Sequence, residues 1–238
     1  MVRLPIKNRD EEYVVQASKI IALGLNYKDH IAESKSVRVK GFDPEIPKEP
    51  IIFPKATSAL IGPGEEIRIP AVLDEYDFED CRVDHEAELA FIIKDRCKNV
   101  SPERAMDYIY GYMCLNDVSQ RNIQSGDKSG WFRGKSFDTF CPVGPQIVLS
   151  EDIGDPQALE LECRLNGIQV QHSNTRHMIF PIPQIVAFIS KNFTLMQGDI
   201  ISTGTPAGVS RLKAGDVVEI EVEGIGTLSN PVLDERNR

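Results

Sequence analysis

The sequence predicts an α+β chain in which strands dominate and helices are few and short. Three observations carry that expectation. Runs with a period of two recur, "RVDHEAELAFII" (Arg82 to Ile93) and "GDVVEIEVEG" (Gly215 to Gly224) among them. Asn166-Gly167 stands between two alternating runs in "LELECRLNGIQVQHS", the pattern that closes a two-residue hairpin. Only "SPERAMDYIYGYM" and "PQIVAFISKN" space their apolar residues as longer helices do.

Taken in order, residues 1–18 read as an N-terminal arm and residues 19–238 as one domain, since no repeat, low-complexity stretch or composition break divides them. "KIIALGL" from Lys19 is a buried strand, and "NYKDHIAESK" after it is a short helical turn. Between Ser36 and Pro54, Pro44, Pro47, Pro50 and Pro54 each fix φ and remove a donor, so the segment is expected to stay outside any regular ladder and to serve as a mobile cover. In "SPERAMDYIYGYM", Ser101 as N-cap, Pro102 in the first turn and Ala105, Met106, Ile109, Tyr110 and Met113 on one face predict a helix. Ile182, Ile185, Val186 and Ile189 share a face in the second helix. "GDIISTGTPAGV" and the glycine-punctuated run after it are closing strands and turns.

Composition excludes several classes. With 238 residues and 41% hydrophobic content the chain can bury a substantial core. Its 27 basic against 36 acidic residues give a net charge of -9, and no Lys/Arg run is dense enough to follow a phosphate backbone, so nucleic acid is not expected as a partner. No apolar run approaches the ~18 residues that cross a bilayer, and acids stand where a signal peptide would be apolar, so a cytoplasmic protein without a membrane partner is expected. The five cysteines form neither a zinc knuckle nor a CxxC pair and are expected to be reduced.

The strand at Arg82 to Ile93 carries the first chemical signal. Its period puts Asp84, Glu86, Glu88, Ala90 and Ile92 on one face and His85, Ala87, Leu89, Phe91 and Ile93 on the other. Glu86 and Glu88 then point the same way about 7 Å apart along the strand. Two readings stand side by side: a solvated strand face, or two ligands of one hard cation, with Asp117 in "LNDVSQR" as a third oxygen donor. The same spacing at Glu219, Glu221 and Glu223 is read as solvated.

Four motifs in order, "VDHEAELAFII", "YGYMCLNDVSQRNIQ", "GWFRGKSFDTFCPVGP" and "ISTGTPAGV", resemble the fumarylacetoacetate hydrolase (FAH) superfamily from Lys19 onward, in its acylpyruvase and 2-hydroxyhepta-2,4-diene-1,7-dioate isomerase-like branch. The resemblance implies a mixed β-sandwich roll, a FAH-like catalytic domain at 19–238, a homodimer, and Mg²⁺ or Mn²⁺ held by Glu86, Glu88 and Asp117. A divalent charge would offset the desolvation of three carboxylates. It further implies that Lys135 in "RGKSFD" stabilises negative charge on substrate, that Arg121 and Gln124 bind substrate, and that Thr205 in "TGTPAG" offers its hydroxyl or backbone N–H to a substrate carboxylate. His30 and Glu33, three apart on one helical turn, resemble the lid dyad that activates water in members that cleave carbon–carbon bonds. His85 is read as a core or interface histidine; His172 and His177 are read as structural.

The expected substrate is a 2-oxo carboxylate that enolises beside the metal. The leading activity is hydrolytic cleavage of an acylpyruvate-type β-diketo acid, with oxaloacetate decarboxylation through the same enolate. The alternative is isomerisation or keto–enol tautomerisation without cleavage, of oxaloacetate or a hydroxy-diene dioate. A non-catalytic Ca²⁺-binding module is disfavoured, because Lys135, Arg121 and His30 would then share no purpose.

Overall fold

The computed structural model describes residues 1–36, 46–126, 128 and 131–237. β1 (Arg3–Pro5) and β2 (Glu12–Val14) form an antiparallel hairpin with Leu4 opposite Tyr13. β3 (Ile20–Gly24) is the buried strand expected from "KIIALGL", and α1 (Lys28–Ser36) is the helix expected after it. Residues 37–45 of the expected cover lie outside the described residues. The C-terminal part of that segment corrects the expectation: β4 (Ile51–Lys55) is a regular strand antiparallel to β3, with Pro54 opposite Ile21. β4 is an edge strand, where a proline's missing N–H can point away from the sheet at no cost to the ladder.

The chain continues through β5 (Leu60–Ile61), β6 (Ile67–Ile69) and β7 (Val83–Asp84) to β8 (Ala87–Ile93). The second correction follows. "SPERAMDYIYGYM" is a 3-10 helix only over Pro102–Tyr108, and the chain then extends as β9 (Ile109–Asn116). Pairing explains the change, because β9 is hydrogen-bonded to β8 on one side and to a later strand, β11, on the other. A buried run rich in aromatic and bulky apolar side chains satisfies more backbone and buries more surface there than as a helix. Gly111 permits the close approach; a Cβ there would lie 2.7 Å from the Val148 carbonyl oxygen.

β10 (Ser119–Gln120) pairs with β7 and leads into α2 (Arg121–Gly126) and α3 (Phe132–Lys135), and β11 spans Cys141–Leu149. β12 (Glu160–Leu165) and β13 (Ile168–Asn174) form the expected hairpin, with Asn166 and Gly167 at φ 53° and 77° as a two-residue turn requires. α4 (Ile182–Asn192) is the second expected helix and buries Ile182, Ile185, Val186 and Ile189. β14 (Ile200–Ser202), β15 (Val217–Val222) and β16 (Gly226–Asp234) complete the chain.

Two sheets dominate. The larger runs β4-β3-β14-β8-β9-β11-β5 and is mixed, with β14 parallel to β3 and β11 parallel to β5; the smaller runs β13-β12-β15-β16-β6. The outer strands β4 and β5 of the larger sheet are joined only by the short 3-10 turn Thr57–Ala59, so the sheet curls on itself. β8 lies at its centre and is buried on both faces. Ala87, Leu89, Phe91 and Ile93 pack with Leu161, Val218 and Ile220 of the smaller sheet and with α4. Ala90 and Ile92 pack in a second cluster with Leu4, Val15 and Ile20 from the N-terminal segment. Each of the larger side chains, Leu, Ile, Val and Phe, contributes roughly 1.5–3 kcal/mol against solvent exposure. The C-terminal ends of β3, β9 and β14 and the start of β8 come together at one end of this core. No described helix is long and apolar enough to cross a membrane.

Candidate active site

The acidic face predicted from the period of β8 is fully buried. Glu86 lies between β7 and β8, Glu88 inside β8 and Asp117 immediately after β9; their relative exposures are 4%, 0% and 0%. Each offers a carboxylate oxygen within 4.8 Å of the others, and among the described residues this is the one such group that could hold a metal ion. The register makes the cluster: Glu88 is opposite Leu115, and Asp117 donates its backbone N–H to the Glu86 carbonyl at 2.9 Å. Asn116 holds the Glu86 backbone N–H through its side-chain oxygen.

The three carboxylates do not sit alike. The Lys135 ammonium donates to Glu86 Oε2 and to Asp117 Oδ2, each at 2.6 Å. Burial pushes Glu86 upward, but Lys135, Arg121 and His30 outweigh it and hold the carboxyl well below the usual range. Lys135 shows the mirror image: burial lowers its pKa, and Asp117 and Glu86 more than restore it, so it stays an ammonium. Among the described residues Glu88 has no cationic partner. Its Oε2 accepts from Ser202 Oγ and, at 2.7 Å, from Gly204 N–H, while its buried Oε1 has no hydrogen-bond partner among them. Burial first, then the charges of Asp117 and Glu86, push its pKa well above the usual value. An orphaned oxygen beside two further carboxylates is the environment a hard divalent cation relieves, so the donor set fits Mg²⁺ or Mn²⁺.

Lys55 escaped the sequence reading. It is 3% exposed, and its ammonium donates to Asp117 Oδ1 at 2.6 Å and to the Lys135 carbonyl oxygen. Its position follows from β4 being a strand, and no local motif marks it. Removing one partner of a buried pair costs about 3–5 kcal/mol. Lys55→Met is therefore expected to lower the stability of the metal-free protein by about 3 kcal/mol, measured by urea unfolding; an unchanged midpoint would show that the pair contributes nothing.

Arg121 and Gln124 share one side of α2, as expected. Arg121 donates to Asp84 Oδ2 at 2.8 Å, to Glu86 Oε1 at 2.6 Å and to Gln124 Oε1 at 3.0 Å. Asp84 also takes Arg82 at 2.8 Å, so the guanidinium of Arg121 is oriented by acids on β7 and beside β8. His30 and Glu33 lie on α1, with His30 Nδ1 3.6 Å from Glu33 Oε2 and His30 only 8% exposed. Glu33 Oε2 also accepts the Gly208 N–H at 3.0 Å. Burial raises the Glu33 carboxyl, while His30 and the Gly208 and Val209 N–H groups lower it further, leaving it ionised.

The glycine turn after β14 thus does more than reverse the chain, as Gly204 holds Glu88 and Gly208 holds Glu33. Gly204 has φ 91° and a Cβ there would lie 2.8 Å from Asn26 Cβ, so other residues are strained at that position. His85, read as a core or interface histidine, is fully buried against Gln171 and Ser210. His172 and His177 lie on and just beyond β13, where His172 approaches Glu160 and His177 approaches Ser173.

A pocket of about 40 Å³, room for a few water molecules, is lined by His30, Glu86, Arg121, Gln124, Lys135 and Thr205 on its polar side. Leu23, Phe53 and Trp131 form the apolar side, with Phe53 edge-on to Trp131 and 5.0 Å from the Lys135 ammonium. A larger cleft of about 490 Å³ near Glu65, Arg68, Phe137 and Thr139 holds none of these residues. Two cations, an imidazole, a hydroxyl and the Glu86 carboxylate thus face one small volume, with Glu88 and Asp117 clustered beside Glu86.

The chain belongs to the fumarylacetoacetate hydrolase family: the family model "Fumarylacetoacetate (FAA) hydrolase C-terminal" matches residues 19–233. It is 44% identical over 229 residues to the mitochondrial oxaloacetate tautomerase fahd2 of Xenopus laevis, covering 92% of this chain and 67% of that one. A 5-carboxymethyl-2-hydroxymuconate delta-isomerase from Mycobacterium smegmatis superposes with a TM-score of 0.79 at 42% identity, covering 93% of this chain and 78% of that one. A fumarylpyruvate hydrolase from Pseudomonas aeruginosa, solved with Mn²⁺ and pyruvate, superposes with a TM-score of 0.85 at 26% identity, covering 98% and 96%. The strand-rich, curled-sheet fold is the fold of these relatives, and the chain is an enzyme of their family.

Proposed function

We propose that this enzyme acts on enolisable 2-oxo carboxylates with Mg²⁺ or Mn²⁺ bound by Glu86, Glu88 and Asp117, and that its reaction is hydrolytic carbon–carbon cleavage of an acylpyruvate-type β-diketo acid. The observation that carries the reading is the placement of His30, with Glu33 3.6 Å behind it, on the same pocket as Lys135 and Arg121. When bound, the divalent cation supplies Lewis-acid stabilisation of an enolate. Arg121 and Gln124 orient the anionic substrate, and the wall of Leu23, Phe53 and Trp131 limits water around it. His30, oriented by ionised Glu33, takes a proton from water, and the hydroxide adds to the acyl carbonyl carbon. The carbon–carbon bond then breaks with its electron pair left on the pyruvyl fragment as an enolate. Lys135 offsets that charge, since an ammonium has three donors and, among the described residues, Glu86 and Asp117 engage two of them. Protonation of the enolate carbon gives pyruvate, and the acyl group leaves as a carboxylic acid.

A second reading, keto–enol tautomerisation of oxaloacetate, is favoured by the tautomerase relative. It needs the same enolate without water addition. The test is a Mg²⁺ and Mn²⁺ assay over acylpyruvates, oxaloacetate and hydroxy-diene dioates with NMR of products. Pyruvate plus a carboxylic acid from an acylpyruvate supports cleavage; tautomer or isomer formation alone supports the second reading; no turnover of any of them overturns both.

A further inference from the structure

Gln171 on β13 is 1% exposed and uses its whole hydrogen-bonding capacity. Its Oε1 accepts from Ala87 N–H at 3.1 Å and faces His85 Nδ1 at 3.1 Å. Its Nε2 donates to Thr205 Oγ1 and to the Pro206 carbonyl, each at 2.9 Å. The amide can sit only this way round, because a carbonyl only accepts and a backbone N–H only donates. His85 therefore carries its hydrogen on Nδ1, and Ser210 Oγ stands 2.8 Å from its Nε2 to complete the chain of bonds. One side chain from the smaller sheet thus joins the first residue of β8, between Glu86 and Glu88, to the turn that carries Thr205.

The polarity of that chain has a consequence for the pocket. Thr205 Oγ1 receives a hydrogen bond from behind, so its own hydrogen is not needed there. Thr205 lines the pocket, and none of the hydrogen bonds between described residues uses its hydroxyl as a donor. We infer that Gln171 is a positioning residue that turns the Thr205 hydroxyl hydrogen into the pocket, where it donates to a carboxylate oxygen of the substrate. This rests on the 2-oxo carboxylate reading and adds to it how the anion is recognised. A carboxylate at position 171 would reverse the polarity: it would accept the Thr205 hydrogen from behind and leave an oxygen lone pair facing the anion.

The test is calorimetric titration of oxalate, a chelating dicarboxylate, into the full chain loaded with Mn²⁺. A hydrogen bond to a charged group predicts that Gln171→Glu and Thr205→Val each weaken oxalate about ten- to a hundredfold, while Mn²⁺ affinity stays at the wild-type value and Thr205→Ser retains oxalate. The double variant should lose no more than the worse single, since both remove one bond. Unchanged oxalate affinity in Gln171→Glu, additive losses, or Mn²⁺ affinity falling in step with oxalate would each overturn the inference. Should Gln171→Glu fail to fold, Gln171→Met deletes the same donors without a charge; a loss shared with Thr205→Val supports the inference and an unchanged affinity overturns it. Wild type that binds Mn²⁺ but not oxalate would instead overturn the 2-oxo carboxylate reading beneath it, a result distinct from binding that no Gln171 variant alters.

Discussion

Glu88→Gln is expected to lower divalent-metal affinity by at least about a hundredfold and to take activity to background, while the metal-free protein unfolds no more easily than wild type. The two halves of that result come from one feature. Glu88 is a buried carboxylate with an orphaned oxygen and two acidic neighbours, so without a cation it is the costliest charge in the site. Glutamine keeps its length and still accepts from Gly204, yet removes the charge a cation requires. Glu86→Ala and Asp117→Ala should lose metal binding and activity as well, but their metal-free forms should be less stable by about 3–5 kcal/mol, since each leaves buried ammonium or guanidinium groups short of a partner. Even losses of unlike donors this close to a cation would exceed the 10- to 100-fold typical of an outer-shell change. Titration of Mn²⁺ with each variant, beside urea unfolding in chelator, reads both effects. Wild-type metal stoichiometry in all three variants would sink the assignment of the trio as the metal site.

The contrast among the three acids shows where the sequence was legible and where it was not. The ExE spacing, the hairpin turn at Asn166-Gly167 and the apolar stripe of α4 are local patterns whose physical meaning is complete within a few residues, and the structure contains each of them. Asp117 could be offered as a third donor from the sequence, but no local pattern ties it to the two glutamates, because their meeting depends on the register of β8 against β9. Which acid is paired and which is orphaned was not legible at all. That depends on Lys55 and Lys135, and Lys55 stands 62 residues from Asp117 in the chain.

The errors have the same origin. Ile109 to Met113 carries helical spacing, but two flanking strands fix it as β9, and pairing partners leave no trace in a window of a dozen residues. Pro54 reads as a breaker until β4 is known to be an edge. Gln171 lies in a polar alternating strand, where glutamine signals solvent; burial there follows from the packing of β13 against the turn after β14. The glycines of "TGTPAG" announced a turn, and only the fold shows that their N–H groups hold Glu88 and Glu33.

His30→Ala is expected to separate the two candidate reactions. If the imidazole activates water, its loss should lower cleavage by roughly 10²- to 10⁴-fold, the usual worth of a positioned general base. Metal binding should survive, because His30 lies on α1 and is not among the three clustered carboxylates. Enolisation draws chiefly on the cation and Lys135, so exchange of the substrate's C3 protons with deuterated solvent should continue while product formation stops. Glu33→Gln should give a milder split: it weakens the hold on His30 Nδ1, now 3.6 Å from the carboxylate, but leaves the ring in place. The two time courses, deuterium incorporation and acid release, can be followed in one NMR tube. If His30→Ala cleaves at the wild-type rate, water activation on α1 is not part of the cleavage and another base serves it. If wild type exchanges protons without cleaving any acylpyruvate, the site belongs to a tautomerase, in which the same enolate is returned to a ketone rather than released by bond breaking.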